Sequence, residues 1–530
     1  MNVGMLGKAE AWLRAFKPSL RMGLMIAFVF GFVVRMVPEI LSYPYPIGFD
    51  TIYYGWRLKE GVVLSHWSSV FGSWLFYGLT VPVYGVLGGD PFVFLKFVMP
   101  LLFGLNACGV HYLATRGLGW STRKGLFAAG LFSFQLAALR ISSDLYRNIL
   151  GLGILLFAVP WILKEKADSK SLMLFGVLSL LAVFSHEYVS VLLLASVFGV
   201  VVSKSVSEKR VEALKVVGAA LPAVAVFVAS VFLRVYPVYR MVQPNILVVG
   251  EMSGQYSGPL FFITNYLAVS DTVPVYVNYF GLFVSVVSLF VLLYVAILPL
   301  AVIGFFRNKV LDFWLILLGI GGFGCLLVPF FALTYWDRWM IMLVFPLVFY
   351  ATNGFVKILH SAKPVVAGLW RFGSFTISKR VAKGFVLVSV VCGFVFITSP
   401  MFFGKGGVYC LPATVTYLPS TILANTIPVS DVEGTVEALR WIDVAMDGNS
   451  CFLAHHAFFN WARIGFYGQH TIVFFKEDIF EAVDVAVKHG FGRFWLVWWN
   501  TDVGWYGFDV PDNFTEVTSS GRISVFEYQV

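Results

Sequence analysis

Eleven separate runs of mostly apolar residues constrain this chain more than any other feature: 22–37, 92–115, 125–139, 145–163, 170–185, 188–202, 216–233, 279–305, 311–333, 339–355 and 384–402. A helix needs about 17–25 such residues to cross a bilayer. Only helices and closed barrels satisfy their backbone groups there. Charged residues make up 13% of the chain, where a soluble domain carries about 25%. There is too little polar surface to cover these runs in water. The sequence therefore predicts a multi-span α-helical membrane protein of about eleven spans.

Charge divides the chain in two. Residues 1–403 hold 31 Lys and Arg against 15 Asp and Glu, and residues 404–530 hold 7 against 14. A basic membrane part followed by an acidic domain fits loops that obey the positive-inside rule. The net charge of +9 thus gives no reason to expect a nucleic-acid partner. From about residue 404 the pattern shortens. Segments 433–445 and 477–489 read as helices, and 450–454, 471–475, 494–498 and 523–528 as strands. A C-terminal α/β domain is expected over 404–530, after a membrane domain over 1–403.

The segment 71–86 is apolar enough to be a twelfth span, and loop charge decides against it. With that segment left in the interface, 22 of the 31 basic residues of the membrane part fall on one side. If it crosses, most of them flip. We read it as an interfacial helix. The N-terminus is then cytoplasmic and the C-terminal domain extracytoplasmic. The basic residues before the first span, with no small-residue cleavage site, read as a retained signal anchor. Cys108, Cys325 and Cys392 read as core residues. Cys410 and Cys451 are the two expected outside, where a disulfide could form.

On this topology four polar groups gather at the outer face. They are Asp50 with Arg57 and His66, the segment Arg140 to Asn148 containing Asp144 and Arg147, the His186-Glu187 pair, and the Asp337-Arg338 pair. Each has a plain structural reading. Asp50 could cap the following helix, Asp144 could pair with Arg140 or Arg147, and the other two could end helices at the interface. Four such groups on one side, where ionisable residues are costly, favour a shared site. Carboxylates from two loops can act as a base or share a divalent cation, and arginines can grip a phosphate. Mid-span polar residues, which a transporter or flippase would need, are few: Asn106, His111 and Gln135. A scaffold and a ligase or polymerase with a lipid-linked donor are further alternatives.

The run Pro46-Ile47-Gly48-Phe49-Asp50-Thr51-Ile52-Tyr53-Tyr54-Gly55-Trp56-Arg57 resembles the first outer loop of GT-C superfamily membrane glycosyltransferases. These include oligosaccharyltransferase, protein O-mannosyltransferase and aminoarabinose transferase types. Asp50 matches their first acidic position and Asp144 their second, and Asp90-Pro91-Phe92 is similar to the start of their second span. His186 stands where several of them carry Lys. Trp498-Trp499-Asn500 departs from the Trp-Trp-Asp signature of oligosaccharyltransferases, so that tryptophan pair reads as strand core. His455-His456, with Asn460, could touch an acceptor, but adjacent strand residues point to opposite faces and argue against zinc.

The resemblance implies an inverting transferase that takes sugar from a polyprenyl-phosphate-linked donor within membrane lipids. It implies Asp50 and Asp144 as catalytic residues, with a divalent cation (Mg or Mn) as an option on the same two carboxylates. Arg57, Arg140, Arg147, His186 and Arg338 would face the donor phosphate. Tyr53, Tyr54, Trp56 and Glu187 would face or cover the acceptor, and the loop 236–278 would be a mobile cover.

Overall fold

The computed structural model describes residues 18–64, 67–233, 245–249, 279–327, 336–368, 374–398, 427–476, 478–501 and 508–530. The membrane part begins with α1 (Leu20–Leu41), the short loop helix α2 (Thr51–Glu60), α3 (Leu75–Leu87) and α4 (Pro91–Tyr112), which runs on through a π-turn to Gly117. Then come α5 (Thr122–Phe134), α6 (Leu136–Asp144), α7 (Tyr146–Leu163), α8 (Ser169–Ser185), α9 (Glu187–Val206) and α10 (Arg210–Leu233). After a strand, β1 (Ile246–Val248), the bundle continues with α11 (Tyr279–Tyr294), α12 (Leu298–Gly304), α13 (Lys309–Leu327), α14 (Trp336–Met342) and α15 (Val344–His360). The hairpin β2 (Val365–Gly368) and β3 (Ser374–Ile377) leads to α16 (Lys379–Thr398).

Eight helices among the described residues are long and apolar enough to cross a membrane, or up to ten if each of two bent pairs is one span. The eleventh expected span is α8, a 17-residue apolar helix. The expected interfacial segment is the 13-residue α3, about 20 Å long and too short to cross. Its Leu79, Val83, Val86 and Leu87 are exposed.

Two spans expected as single helices are bent, by 60° between α5 and α6 and by 74° between α11 and α12. The causes are local. Gln135 adopts an extended backbone between α5 and α6. Its amide donates to the Leu293 carbonyl at 2.5 Å and accepts from Ser389 Oγ at 2.9 Å. Pro299 in the first turn of α12 has no N–H to continue a helix. The carbonyl released beside that bend is thus satisfied by the residue that makes the other one.

The expected mid-span polar residues are packing groups. Asn106 bonds the Ile149 carbonyl at 2.7 Å, and His111 is fully buried against Gly23 and Gly125. Cys325 is buried as expected, whereas Cys392 lies on the exposed face of α16.

The α/β domain is built from α17 (Val432–Ala445), β4 (Ser450–His455), α18 (Phe459–Phe466), β5 (Ile472–Phe475), α19 (Ile479–Lys488), β6 (Arg493–Trp499), β7 (Thr515–Ser520) and β8 (Ile523–Gln529). Its six-stranded sheet has the order β1-β5-β4-β6-β8-β7. The first three pairings are parallel and the last two antiparallel. The burial pattern explains the layers: β4 and β5 are buried throughout, as expected of strands covered on both faces. Strand β1 comes from the loop expected as a mobile cover. Residues 246–248 pair in register with Ile472–Phe474, so this part of the loop is fixed in the sheet. Trp498 and Trp499 are buried in β6, as core residues. Cys451 is buried in β4, and Cys410, its expected partner, lies outside the described residues.

Candidate functional site

The α/β domain sits on the loop that carries Asp50. The Arg463 guanidinium of α18 lies 3.1 Å from the Trp56 ring centroid. Lys59 Nζ donates to the Ile464 carbonyl at 2.9 Å, and Tyr467 donates back to the Lys59 carbonyl at 3.0 Å. Phe92 at the start of α4 meets Trp461. Asp90 caps that helix by accepting from the Phe92 and Val93 amides, with Pro91 in its first turn, as the sequence suggests. Helix α2 is therefore clasped between the bundle and the α/β domain.

The turn before α2 rests on the end of α6. Gly48 has φ +103°, and an added Cβ would lie 1.8 Å from the Ser143 carbonyl oxygen. Only glycine permits both that backbone angle and that approach. Thr51 Oγ1 donates to the Ile47 carbonyl at 2.5 Å and lies 2.7 Å from the Tyr146 hydroxyl. Tyr54 stacks on Tyr146 with ring centroids 4.6 Å apart. The residues on either side of Asp50 thus bind the residues on either side of Asp144. The side chain of Asp144 lies outside the described residues, as does His66.

Asp50 is half-buried and makes no capping hydrogen bond to α2. It lies within electrostatic reach of Tyr54, whose hydroxyl burial pushes up to about 12, the Arg147 charge opposing and the Asp50 charge adding to the rise. It also opposes the lowering of His456. That histidine is exposed and packs against Phe49 with ring centroids 6.3 Å apart. Although part of the His456 side chain reaches solvent, desolvation by the protein packed around it and then the nearby Lys476 charge hold its imidazole below its ordinary range.

His455 points the other way. It is buried, its Nε2 is 3.0 Å from the Lys476 carbonyl, and its Nδ1 accepts from the Ala457 amide at 3.3 Å. The pair therefore divides between the two faces, and only His456 is open to an acceptor.

Arg147 donates to Ser73 Oγ at 3.1 Å, and Ser73 donates to Glu187 Oε1 at 3.0 Å. His186 caps α9 by accepting from the Tyr188 amide at 3.2 Å, and Tyr188 meets Trp339 of α14 edge to face. Helix α14, with Asp337 and Arg338, packs on α6, which carries Arg140 and ends at Asp144. All four sequence segments expected at the site therefore converge at one end of the bundle.

Individual placements differ from the expected roles. Arg57 is tied to Glu60 at 2.9 Å and to the Val62 carbonyl at 3.0 Å. Trp56 is 2% exposed, so Arg463 already occupies its face. Arg140 and His186 are also buried. Tyr53 is half-buried and remains open beside Asp50.

A buried ion triad escaped the sequence reading. Glu39 pairs with Arg35 at 2.7 Å and with Lys96 of α4 at 3.0 Å, and all three side chains are at most 5% exposed. Arg35 Nε then donates to Ser142 Oγ at 3.0 Å, two residues before Asp144. The available signal was an Arg and a Glu four residues apart inside an apolar run, a position where charges usually have a function. Among the described residues, no group of three or more His, Cys, Asp or Glu side chains could hold a metal ion.

Fold and site together define a polytopic helical membrane protein whose α/β domain closes over a junction of carboxylate, guanidinium, tyrosine and histidine groups. In overall arrangement the chain is similar to ArnT from Cupriavidus metallidurans, in its crystal structure bound to undecaprenyl phosphate. The TM-score is 0.46 and the identity 11%, over 95% of this chain and 97% of that one. No protein-family model matches the sequence, and no curated protein matches it.

Proposed function

We propose that this protein is a membrane glycosyltransferase that moves a sugar from a polyprenyl-phosphate-linked donor to an acceptor hydroxyl or amine, with inversion. One observation carries the reading: the turn holding Asp50 is bonded to the segment holding Asp144, beside Arg147 and under the α/β domain. Asp50 receives the acceptor proton as the acceptor atom forms its bond to the anomeric carbon. The bond from that carbon to the lipid phosphate breaks, and its electron pair leaves on the phosphate oxygen. Arg147, oriented by Ser73, stabilises the departing charge in a partly dry setting. Tyr53 flanks the acceptor sugar, and His456 borders the acceptor side. Asp50 and Asp144, two hard oxygen donors, suit Mg or Mn, which would add positive charge for the phosphate.

Charge supports an orientation with this end extracytoplasmic. At the opposite end Lys164, Lys204, Lys209, Arg307 and Lys309 line one cavity, as expected of the cytoplasmic side. The decisive experiment incubates purified protein with a panel of polyprenyl-phosphate sugars and acceptor extract and follows release of free polyprenyl phosphate. Release that depends on acceptor is expected. Movement of intact donor across a liposome membrane, with no release, would replace this reading by a flippase.

A further inference from the structure

At the end of the bundle away from the α/β domain, α7 and α9 finish and α13 begins. Between them lies a cavity of about 460 Å³, within the size range of small-molecule sites. Its charged lining is Lys164, Lys204, Lys209, Arg307 and Lys309 against one carboxylate, Glu165. Three of the cations are engaged by the protein. Lys204 Nζ donates to the Lys164 and Glu165 carbonyls at 2.8 and 3.0 Å. Lys164 donates to Ser171 at 2.9 Å and rests over the Trp161 ring. Lys209 pairs with Glu165. Arg307 and Lys309 are exposed and have no acidic partner among the described residues.

A row of lysines on a flat surface would be a solvated face. This group differs in two ways. Five cations around one carboxylate share a concavity, where like charge concentrates a positive potential. The concavity is walled by the ends of membrane-spanning helices, so it opens at the depth of lipid headgroups. Its surroundings are amphipathic: Val206, next to the lining residue Ser207, and Phe305, two residues before Arg307, are exposed, and Trp161 lies under Lys164 of the lining, as interfacial aromatics do. A soluble phosphate compound would need the charge but would not use that apolar rim.

We propose that this cavity binds the phosphodiester headgroup of an anionic membrane lipid. Arg307 and Lys309 meet the phosphate, and the acyl chains run along Val206 and Phe305. Basic pockets between membrane helices bind such headgroups in this way. The proposal does not depend on the transferase reading, because the two sites stand at opposite ends of α7.

The test uses full-length protein in neutral detergent, exchanged against phosphatidylglycerol, diphosphatidylglycerol or phosphatidylcholine and examined by native mass spectrometry. Retention of the two anionic lipids and not of phosphatidylcholine is expected. Arg307→Ala with Lys309→Ala should weaken retention by about fivefold per cation and about 25-fold for the pair. Arg307→Lys with Lys309→Arg should restore it. Excess inorganic phosphate should leave retention unchanged. Equal retention of phosphatidylcholine, or undiminished anionic retention in a double alanine variant that melts like wild type, overturns the proposal. Full displacement by inorganic phosphate overturns the lipid assignment in favour of a soluble phosphate ligand.

Discussion

The hydroxyl of Thr51 lies 2.7 Å from that of Tyr146, and this contact helps tie the loop of Asp50 to the first turn of α7, two residues after the end of α6. Because Thr51 donates to the Ile47 carbonyl, Tyr146 is the donor in the pair. Thr51→Val removes both bonds and Tyr146→Phe only one, leaving the stack on Tyr54. At about 1 kcal/mol per net hydrogen bond, Thr51→Val should cost about twice as much stability as Tyr146→Phe. Its turnover should fall further, because the turn before Asp50 loses its anchor. Chemical melts and transfer rates of the two variants give the order, and a reversed order would show that the tie is not what fixes the turn.

The buried triad predicts a different pattern. Glu39→Gln leaves Arg35 and Lys96 as unneutralised buried cations, so the loss should be about 3–5 kcal/mol. Replacing Arg35, Glu39 and Lys96 together by Met removes the charges as well as the pairing and should recover most of that stability. Ser142 would still lose its bond from Arg35. The triple variant is therefore expected to be stable but slow, and thermal melts alongside transfer rates separate the two effects.

His455 makes the α/β domain sensitive to acid. Burial and the His456 charge pull its pKa down from 6.5 to about 4. Protonating Nδ1 would remove the acceptor of the Ala457 amide. The unfolded chain binds this proton first, so the full stability is present above pH 6.5 and declines as pH falls to about 4. The span corresponds to about 3 kcal/mol. His455→Asn should flatten that part of the profile. Tryptophan-fluorescence melts across pH 4–7 would refute the assignment if both proteins lose stability in parallel.

The parts legible in the sequence were those encoded locally. Apolar runs located the helices, and Asp90-Pro91 marked the start of α4. The short apolar runs in 450–454 and 494–498 located β4 and β6. What escaped depends on partners distant in the chain. Gln135 looked like an isolated polar residue in a span, yet it joins two helix breaks through Leu293 and ties them to α16 through Ser389. Strand β1 carries only three residues of pattern and is defined by β5, over two hundred residues later. Trp56 was expected to face the acceptor because nothing near it announces Arg463, some four hundred residues later, as the partner of its ring. The carboxylate loops were found, but the triad behind them was hidden inside the helices it joins.

The basic residues gathered around the far-end cavity predict that this end is cytoplasmic. Lys166→Cys should resist an impermeant thiol reagent applied to intact cells, and Asp509→Cys in the α/β domain should react. Both must label after lysis, which controls for access. Labelling of position 166 in intact cells would invert the arrangement and move the proposed chemistry to the cytoplasmic side.

Asp50 is the residue on which the functional reading depends most. A capping role would require its carboxylate to accept from the first amides of α2, and no such bond is present. The carboxylate is half-buried instead, on a turn pinned by Gly48 and Thr51, with charge felt at Tyr54 and His456. Asn is nearly the same size and caps about as well as Asp, so Asp50→Asn should fold and melt like the parent. It cannot accept the acceptor proton or hold a cation as a carboxylate does. Transfer should therefore fall by roughly 10²-fold or more, the scale of a lost general base, while binding of the donor lipid changes little. Asp50→Glu restores the charge at a displaced position and should recover part of the rate. If Asp50→Asn, equally folded, transfers sugar within a few-fold of wild type, the base lies elsewhere. Asp144→Asn and His456→Gln are then the variants to compare.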